Sequence, residues 1–271
     1  MSSNVQPASD EQPVEIKPTR HVLGLSGGKD SAALAIYLKN QERDEGIEYF
    51  FCDTGAELRE VYDYLDRLED FLGKPIERLS SGRDFDHHLK RFNGFLPAPH
   101  ARWCTRVMKL EPLEAFIGND PCVSYIAIRA DENRQGYISH KPNIKAAYPF
   151  IDDGIVRNDV FRILEDTVGI PEYYRWRSRS GCYFCFFQRR DEWAGLAKHH
   201  PDLFEQAKAY EKESADGRRF TWVQGISLNE LVKTTKADST STDPVPVVPW
   251  QERLKKEGTD DPDSACLICT L

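Results

Sequence analysis

A doubly wound α/β fold with a mostly parallel sheet is predicted from three features. An apolar run ends in small residues, a glycine-rich turn opens a strong helix former, and the same strand–loop–helix order follows again at once. His21-Val22-Leu23-Gly24-Leu25 suits a buried parallel strand, because such strands are apolar on both faces. After Ser26-Gly27-Gly28-Lys29-Asp30-Ser31 comes Ala32-Ala33-Leu34-Ala35-Ile36-Tyr37-Leu38, rich in helix formers. Residues 47–52 read as the second strand, Asp53-Thr54-Gly55 as its loop, and residues 58–72 as an amphipathic helix. A third strand is expected at residues 124–128, with helices at 110–117 and 159–168, the latter capped by Asn158. Residues 192–210 read as helical, Lys198, His199 and His200 before Pro201 as a helix end, and residues 244–249 as too proline-rich for a regular element.

Composition sets bounds on function. The chain has 271 residues and a formal net charge of -8, from 36 basic and 44 acidic side chains. That balance argues against coating nucleic acid by bulk charge but leaves room for a local basic face. No apolar run approaches the roughly 18–20 residues that span a bilayer, so no membrane is expected. Residues 1–20 are polar, without the apolar core of a secretory signal, and read as a disordered leader. Seven cysteines without an export signal point to a reduced, cytoplasmic setting rather than a disulfide framework. The folded domain is expected over residues 21–204, and residues 205–271 as a helical or irregular C-terminal extension that ends in a cysteine tail.

The loop from Ser26 to Ser31 stands between a strand and a helix start, where unpaired backbone N–H groups and the helix dipole favour an anion. Its glycines permit a tight turn and close approach of a phosphate, Lys29 adds positive charge, and Ser26 and Ser31 offer hydroxyls. It is not a Walker A loop, which would need Gly and Ser or Thr where this chain has Leu23 and Asp30. A glycine turn with a solvated lysine is the plainer alternative. Asp53-Thr54-Gly55 follows the second strand, where open α/β sheets place ligands, but also suits a turn and helix cap. Arg129-Ala130-Asp131-Glu132-Asn133-Arg134 follows the third and could equally be a surface charge cluster whose members pair with one another.

Cys182 and Cys185 form a C-x-x-C pair amid Tyr173, Tyr174, Trp176, Tyr183, Phe184, Phe186 and Phe187. This spacing lets two thiolates share a metal or cluster, or act as a redox pair. A second such pair, Cys266 and Cys269, lies at the C-terminus, so a structural zinc site of four cysteines stays open. Cys52 and Cys122 adjoin apolar strands and read as buried thiols that bind nothing. Arg102, Arg106, Lys109, Arg175, Arg177 and Arg179, extended by Arg189, Arg190 and Trp193, read as a basic rim for a phosphate-bearing acceptor, with the aromatics free to stack bases. Ordinary solvated charge around an aromatic core is the competing reading.

The loop Ser26-Gly27-Gly28-Lys29-Asp30-Ser31 resembles the PP-loop of the ATP pyrophosphatases, which cleave ATP between the α and β phosphates and activate a substrate oxygen as an adenylate. With Cys52–Glu57, Ala127–Arg134, Trp103–Lys109 and Gly181–Cys185, residues 21–204 resemble the phosphoadenosine phosphosulfate (PAPS) reductase family. The resemblance implies an adenine-nucleotide α-hydrolase-like fold. It assigns Ser26, Gly27, Gly28, Lys29, Asp30 and Ser31 to phosphate binding, Asp53 and Thr54 to the nucleotide, and Asp53 to Mg²⁺ through water. Lys29, Asp30, Asp53 and Arg129 are the implied catalytic residues, with ATP and Mg²⁺ bound. A [4Fe–4S] cluster is implied on Cys104, Cys182 and Cys185, with Cys269 or Cys266 as fourth ligand or the unique iron open; Zn²⁺ is the alternative. The intact loop together with cysteines is most like the DNA-phosphorothioation members (Dnd and Ssp systems). There the resemblance implies sulfur insertion into a nucleic-acid acceptor (DNA before tRNA), a cysteine desulfurase as donor, and room for a homodimer. Reduction of PAPS or adenylyl sulfate, thiolation of tRNA, and a zinc-stabilised nucleotide-binding module are the alternatives.

Overall fold

The structure, a computed structural model, describes residues 17–133, 139–213 and 217–238. Expectations for residues 1–16, Arg134, residues 244–249, Cys266 and Cys269 fall outside that set. Its centre is β1 (Arg20–Gly24), flanked by β2 (Ile47–Cys52) on one side and β4 (Cys122–Tyr125) on the other. With β3 (Ile76–Leu79) and β5 (Ile144–Ala147) at the edges, the order is β3-β2-β1-β4-β5, and every pairing within this sheet is parallel.

Side chains alternate across this sheet, as a strand requires. Leu23, Tyr49 and Phe51 enter one core, closed by α1 (Lys29–Asn40), α2 (Arg59–Leu72) and α7 (Arg157–Glu165). Val22, Phe50, Ile126 and Ile128 enter the other, with Leu113 and Ile117 of α5 (Glu111–Ile117) over them. α2 buries Val61, Tyr64, Leu65, Leu68 and Leu72, the three- and four-residue spacing of one helical stripe. Layers on both faces make the predicted doubly wound α/β fold.

Several boundaries differ from the sequence expectation. β1 starts at Arg20, whose guanidinium is clamped between Glu48 and the Phe116 carbonyl. β3 and β5 were not anticipated. They are short edge strands carrying Glu77, Arg78 and Lys145, and edges tolerate charge that central strands do not. The third predicted strand ends at Tyr125, although Ile126 still donates its N–H to Ala147. The helix expected from Asp159 starts two residues earlier. Asn158 therefore lies inside it, and Asp159 reaches back to the Val156 N–H.

Between β3 and β4 lie α3 (Phe85–Arg91) and a helical run of α4 (Trp103–Thr105), a π turn (Arg106–Leu110) and α5. After β5 and the short α6 (Pro149–Asp152), residues 192–210 divide into α8 (Arg190–His199) and α9 (Pro201–Ala209), broken at His200 by Pro201. The core continues past residue 204. A two-stranded ribbon, β6 (Lys212–Glu213) with β7 (Arg219–Phe220), leads to Trp222 and α10 (Leu228–Asp238), and Trp222, Leu228 and Leu231 are buried with Phe184 and Trp193. No helix among the described residues is long and apolar enough to cross a membrane.

Candidate phosphate and thiol site

Strand order alone locates the candidate site. β2 and β4 flank β1, and the chain winds away from β1 in opposite directions, so the loops after β1 and β4 diverge and open a crevice at their carboxyl ends. The loop after β1 is Ser26–Ser31; the loop after β4 carries Arg129.

Gly27 has φ +72°, and a Cβ there would lie 2.7 Å from Val61 Cγ1. Both conditions exclude a side chain. Gly28 is extended and opens α1 without a side-chain cap. Hydroxyls hold the loop amides instead: Ser26 Oγ accepts from Gly28 N at 3.3 Å, Ser31 Oγ from Ser26 N at 3.3 Å, and the Tyr174 hydroxyl from Lys29 N at 3.1 Å.

Lys29 is buried, so the solvated-lysine alternative does not apply. Its Nζ lies 2.9 Å from Asp30 Oδ2, while Asp30 Oδ1 is 2.9 Å from an Arg129 terminal nitrogen. Arg129 also pairs with Asp131 and Glu132, and at 2% exposed it is a buried bridge rather than a surface charge. Burial alone would raise the Asp30 carboxyl, but Lys29 and Arg129 outweigh it and hold it well below the ordinary carboxylate range. Burial likewise opposes the Arg129 charge, and Asp30 and Glu132 outweigh it, raising that group further. Two cations thus face three carboxylates at the mouth of the loop.

Asp53 does not cap α2, whose cap position is Leu58. Its Oδ1 accepts from Gly55 N at 2.8 Å and from the Tyr62 hydroxyl at 2.8 Å, an Asx turn fixed by a tyrosine. Oδ2 takes no hydrogen bond among the described residues. Thr54 Oγ1 donates to Glu57 Oε1 at 2.9 Å and lies 3.1 Å from Cys182 Sγ. Cys182 Sγ is also 3.7 Å from Glu57 Oε1, and Glu57 Oε2 is buried without a hydrogen-bond partner. Burial, reinforced by Glu57, pushes the Cys182 thiol well above its ordinary value, and Lys109 acts the other way.

The C-x-x-C segment is tied to both loops. Tyr183 N donates to Ala56 O at 2.8 Å, and Ser180 Oγ donates to Ser26 Oγ at 3.2 Å. Arg177, expected on a basic rim, is fully buried and holds the Gly181 and Cys182 carbonyls at 2.9 and 2.8 Å. Trp193, expected on the same patch, is also fully buried. Among the aromatics expected to stack bases, Tyr173, Tyr174, Trp176, Tyr183, Phe184 and Phe187 are buried and pack the core. Phe184 lies 4.3 Å from Phe85 and 5.2 Å from Trp222 between ring centres. On the surface side, Arg102 and Arg179 stand 4.8 and 5.4 Å from the Phe187 ring, with Arg106 exposed one helical turn beyond Arg102.

No disulfide joins Cys52, Cys104, Cys122, Cys182 or Cys185. Cys122 is buried and Cys52 partly so, its Sγ donating to Lys109 O; burial raises both thiols to about 11. Cys104 lies in α4, partly buried. Among the described residues no group of three His, Cys, Asp or Glu side chains is placed to hold a metal ion. Tyr174, Ser180 and Glu57 were not singled out as site residues from sequence. Only Glu57 carried a signal, three residues after Thr54; the other two reach the loop through tertiary packing.

Residues 20–140 match the phosphoadenosine phosphosulfate reductase domain. Among individual proteins, the chain is 29% identical over 209 residues to an uncharacterized protein of Methanocaldococcus jannaschii, covering 72% of this chain and 42% of that protein. A second uncharacterized protein of the same organism is 27% identical over 193 residues, covering 67% and 45% respectively. The chain thus spans less than half the length of these curated relatives. The crystal structure of PAPS reductase from Candida auris in a phosphate complex aligns with a TM-score of 0.45 at 9% identity, over 58% of this chain and 77% of that one.

Proposed function

We propose that the chain is a nucleotide-binding enzyme of sulfur chemistry that splits ATP into AMP and pyrophosphate to activate an acceptor for sulfur insertion. An acceptor oxygen attacks the α-phosphorus, the bond to the β-phosphate oxygen breaks, and pyrophosphate leaves. A sulfur nucleophile then displaces AMP, forming the acceptor–sulfur bond. The observation that carries this reading is the glycine loop at the strand crevice, with buried Lys29 and Arg129 joined through Asp30. The match of residues 20–140 to the reductase domain supports a nucleotide at the same place.

Three carboxylates against two cations favour entry of the polyphosphate with a divalent cation. Asp53, with one oxygen unengaged, is suited to hold Mg²⁺ through water. The acceptor in this proposal is nucleic acid, DNA before tRNA, with a cysteine desulfurase as donor and a cytoplasmic setting. Arg102 and Arg179 over Phe187, with Arg106 beside them, support a phosphate backbone at the thiol side. Cys104, Cys182, Cys185 and Cys269 remain the residues at which a cluster or zinc is proposed, and no step is routed through either.

Purified protein is expected to release AMP and pyrophosphate from MgATP; ADP and orthophosphate as sole products would overturn the proposal. Iron and acid-labile sulfide assayed under anaerobic conditions test the cluster, and stoichiometric zinc would decide for the alternative metal. The domain match equally favours a second reading, reduction of PAPS or adenylyl sulfate. Sulfite formed with thioredoxin and without ATP would select it.

The acceptor has its own test. The double variant Arg102→Ala with Arg179→Ala is expected to weaken DNA binding about 10-fold or more near 100 mM salt and to flatten the salt dependence by roughly two phosphate contacts. Unchanged binding with an unchanged slope would remove nucleic acid from this face.

A further inference from the structure

Three of the loop amides, those of Ser26, Gly28 and Lys29, already have hydroxyl partners, and whose oxygens they are is informative. A phosphate seated at the start of α1 must accept from these N–H groups. At Lys29 N that position is held by the Tyr174 hydroxyl, 3.1 Å away. A buried N–H left without an acceptor is costly, so the exchange is oxygen for oxygen: Tyr174 withdraws as a phosphate oxygen arrives.

Tyr174 cannot withdraw alone. It is buried, its ring is packed 4.9 Å from that of Tyr173, and the Tyr173 hydroxyl donates to Gly27 O at 2.6 Å. Six residues on, Ser180 grips Ser26 Oγ, the same oxygen that accepts from Gly28 N. Between these two latches Arg177 holds the carbonyls of Gly181 and Cys182, and the Cys182 thiol rests on Thr54. The stretch from Tyr174 to Cys182 is therefore fastened at both ends, to the phosphate loop and to the loop after β2.

We propose that Tyr174 and Ser180 are positioning residues that couple occupancy of the phosphate loop to the placement of the Cys182–Cys185 segment. The Tyr174 hydroxyl and a phosphate oxygen compete for the Lys29 N–H, and release of the hydroxyl frees the segment to move. The coupling rests on the phosphate-loop reading above and adds a direction to it. Because the hydroxyl competes with phosphate, its removal strengthens anion binding, whereas loss of a merely structural tyrosine would weaken it.

Inorganic pyrophosphate is the probe, with affinity read by calorimetry and the segment by hydrogen–deuterium exchange of the amides of residues 181–187 in the full chain. Saturating pyrophosphate is expected to change exchange there by about tenfold in the wild type, a typical coupling between linked sites. Tyr174→Phe is expected to bind pyrophosphate several-fold more tightly, with its thermal unfolding showing that it folds. Combined with Ser180→Ala it should still bind but lose the exchange response. Where Tyr174→Phe does not fold, Ser180→Ala alone serves: affinity within about twofold, with the response at residues 181–187 reduced. Unaltered exchange in the wild type at saturation, weaker binding by folded Tyr174→Phe, or a full response in folded Ser180→Ala would overturn the coupling. Absence of pyrophosphate binding by the wild type would overturn the phosphate-loop reading itself.

Discussion

Lys29→Ala is expected to lower kcat/KM for pyrophosphate release from ATP by about 100- to 1000-fold, the usual loss when one preorganised group facing developing charge is removed. The ammonium is buried against Asp30 and the ring of Tyr174, so it acts as a fixed charge rather than a mobile one. Lys29→Arg should restore little, because a planar guanidinium does not reproduce the compact point charge of an ammonium. The fold should persist in both, since Asp30 keeps Arg129. A steady-state assay with thermal unfolding as control decides it, and a folded Lys29→Ala enzyme of undiminished kcat/KM would remove Lys29 from catalysis.

Asp30→Asn is expected to have the largest effect on stability. It removes the carboxylate shared by two buried cations, and breaking a buried pair costs about 3–5 kcal/mol. Taking about 3 kcal/mol, the melting temperature should fall by roughly 6–12 °C for a chain of this size. The pH dependence has a definite sign. A carboxyl held below its unfolded value of about 3.9 stabilises the fold at pH above that value, and the contribution is lost as pH falls through the folded value. The gap between wild type and Asp30→Asn should therefore be constant from about pH 5 to 8 and narrow only below about pH 4. Denaturant melts across that range measure it, and a gap that grows on acidification would contradict the ion-pair assignment.

The fold class, the central strands and the loop at the helix start were legible because each carries its own local signal. The apolar run of residues 21–25, the paired glycines and the alanine-rich helix agree on one conformation. β3 and β5 were not legible: as edges they bury little, so their residues show neither alternation nor a full apolar run. Within the candidate site, Lys29, Asp30, Thr54 and Arg129 were named from sequence, but their connections were not. For Arg129 the sequence left a surface charge cluster open as the alternative, which its ion pair with Asp30, 99 positions away, and its burial exclude. Arg177 and Trp193 failed for the opposite reason. A charged or aromatic residue in a polar stretch reads as surface, and burial of Arg177 under two carbonyls leaves no mark in its neighbours' sequence.

The π turn at Arg106–Leu110 sets the angular position of everything before it. A π turn holds one residue more than an α turn, so each preceding side chain is offset by about 100° around the axis from where an unbroken helix would put it. Cys104 and Arg102 lie on the upstream side, and α5, fixed to the sheet by Leu113 and Ile117, on the downstream side. The bearing of the Cys104 side chain is thus a matter of counting: one residue fewer in this turn would swing it by about 100° around the axis while α5 stayed seated.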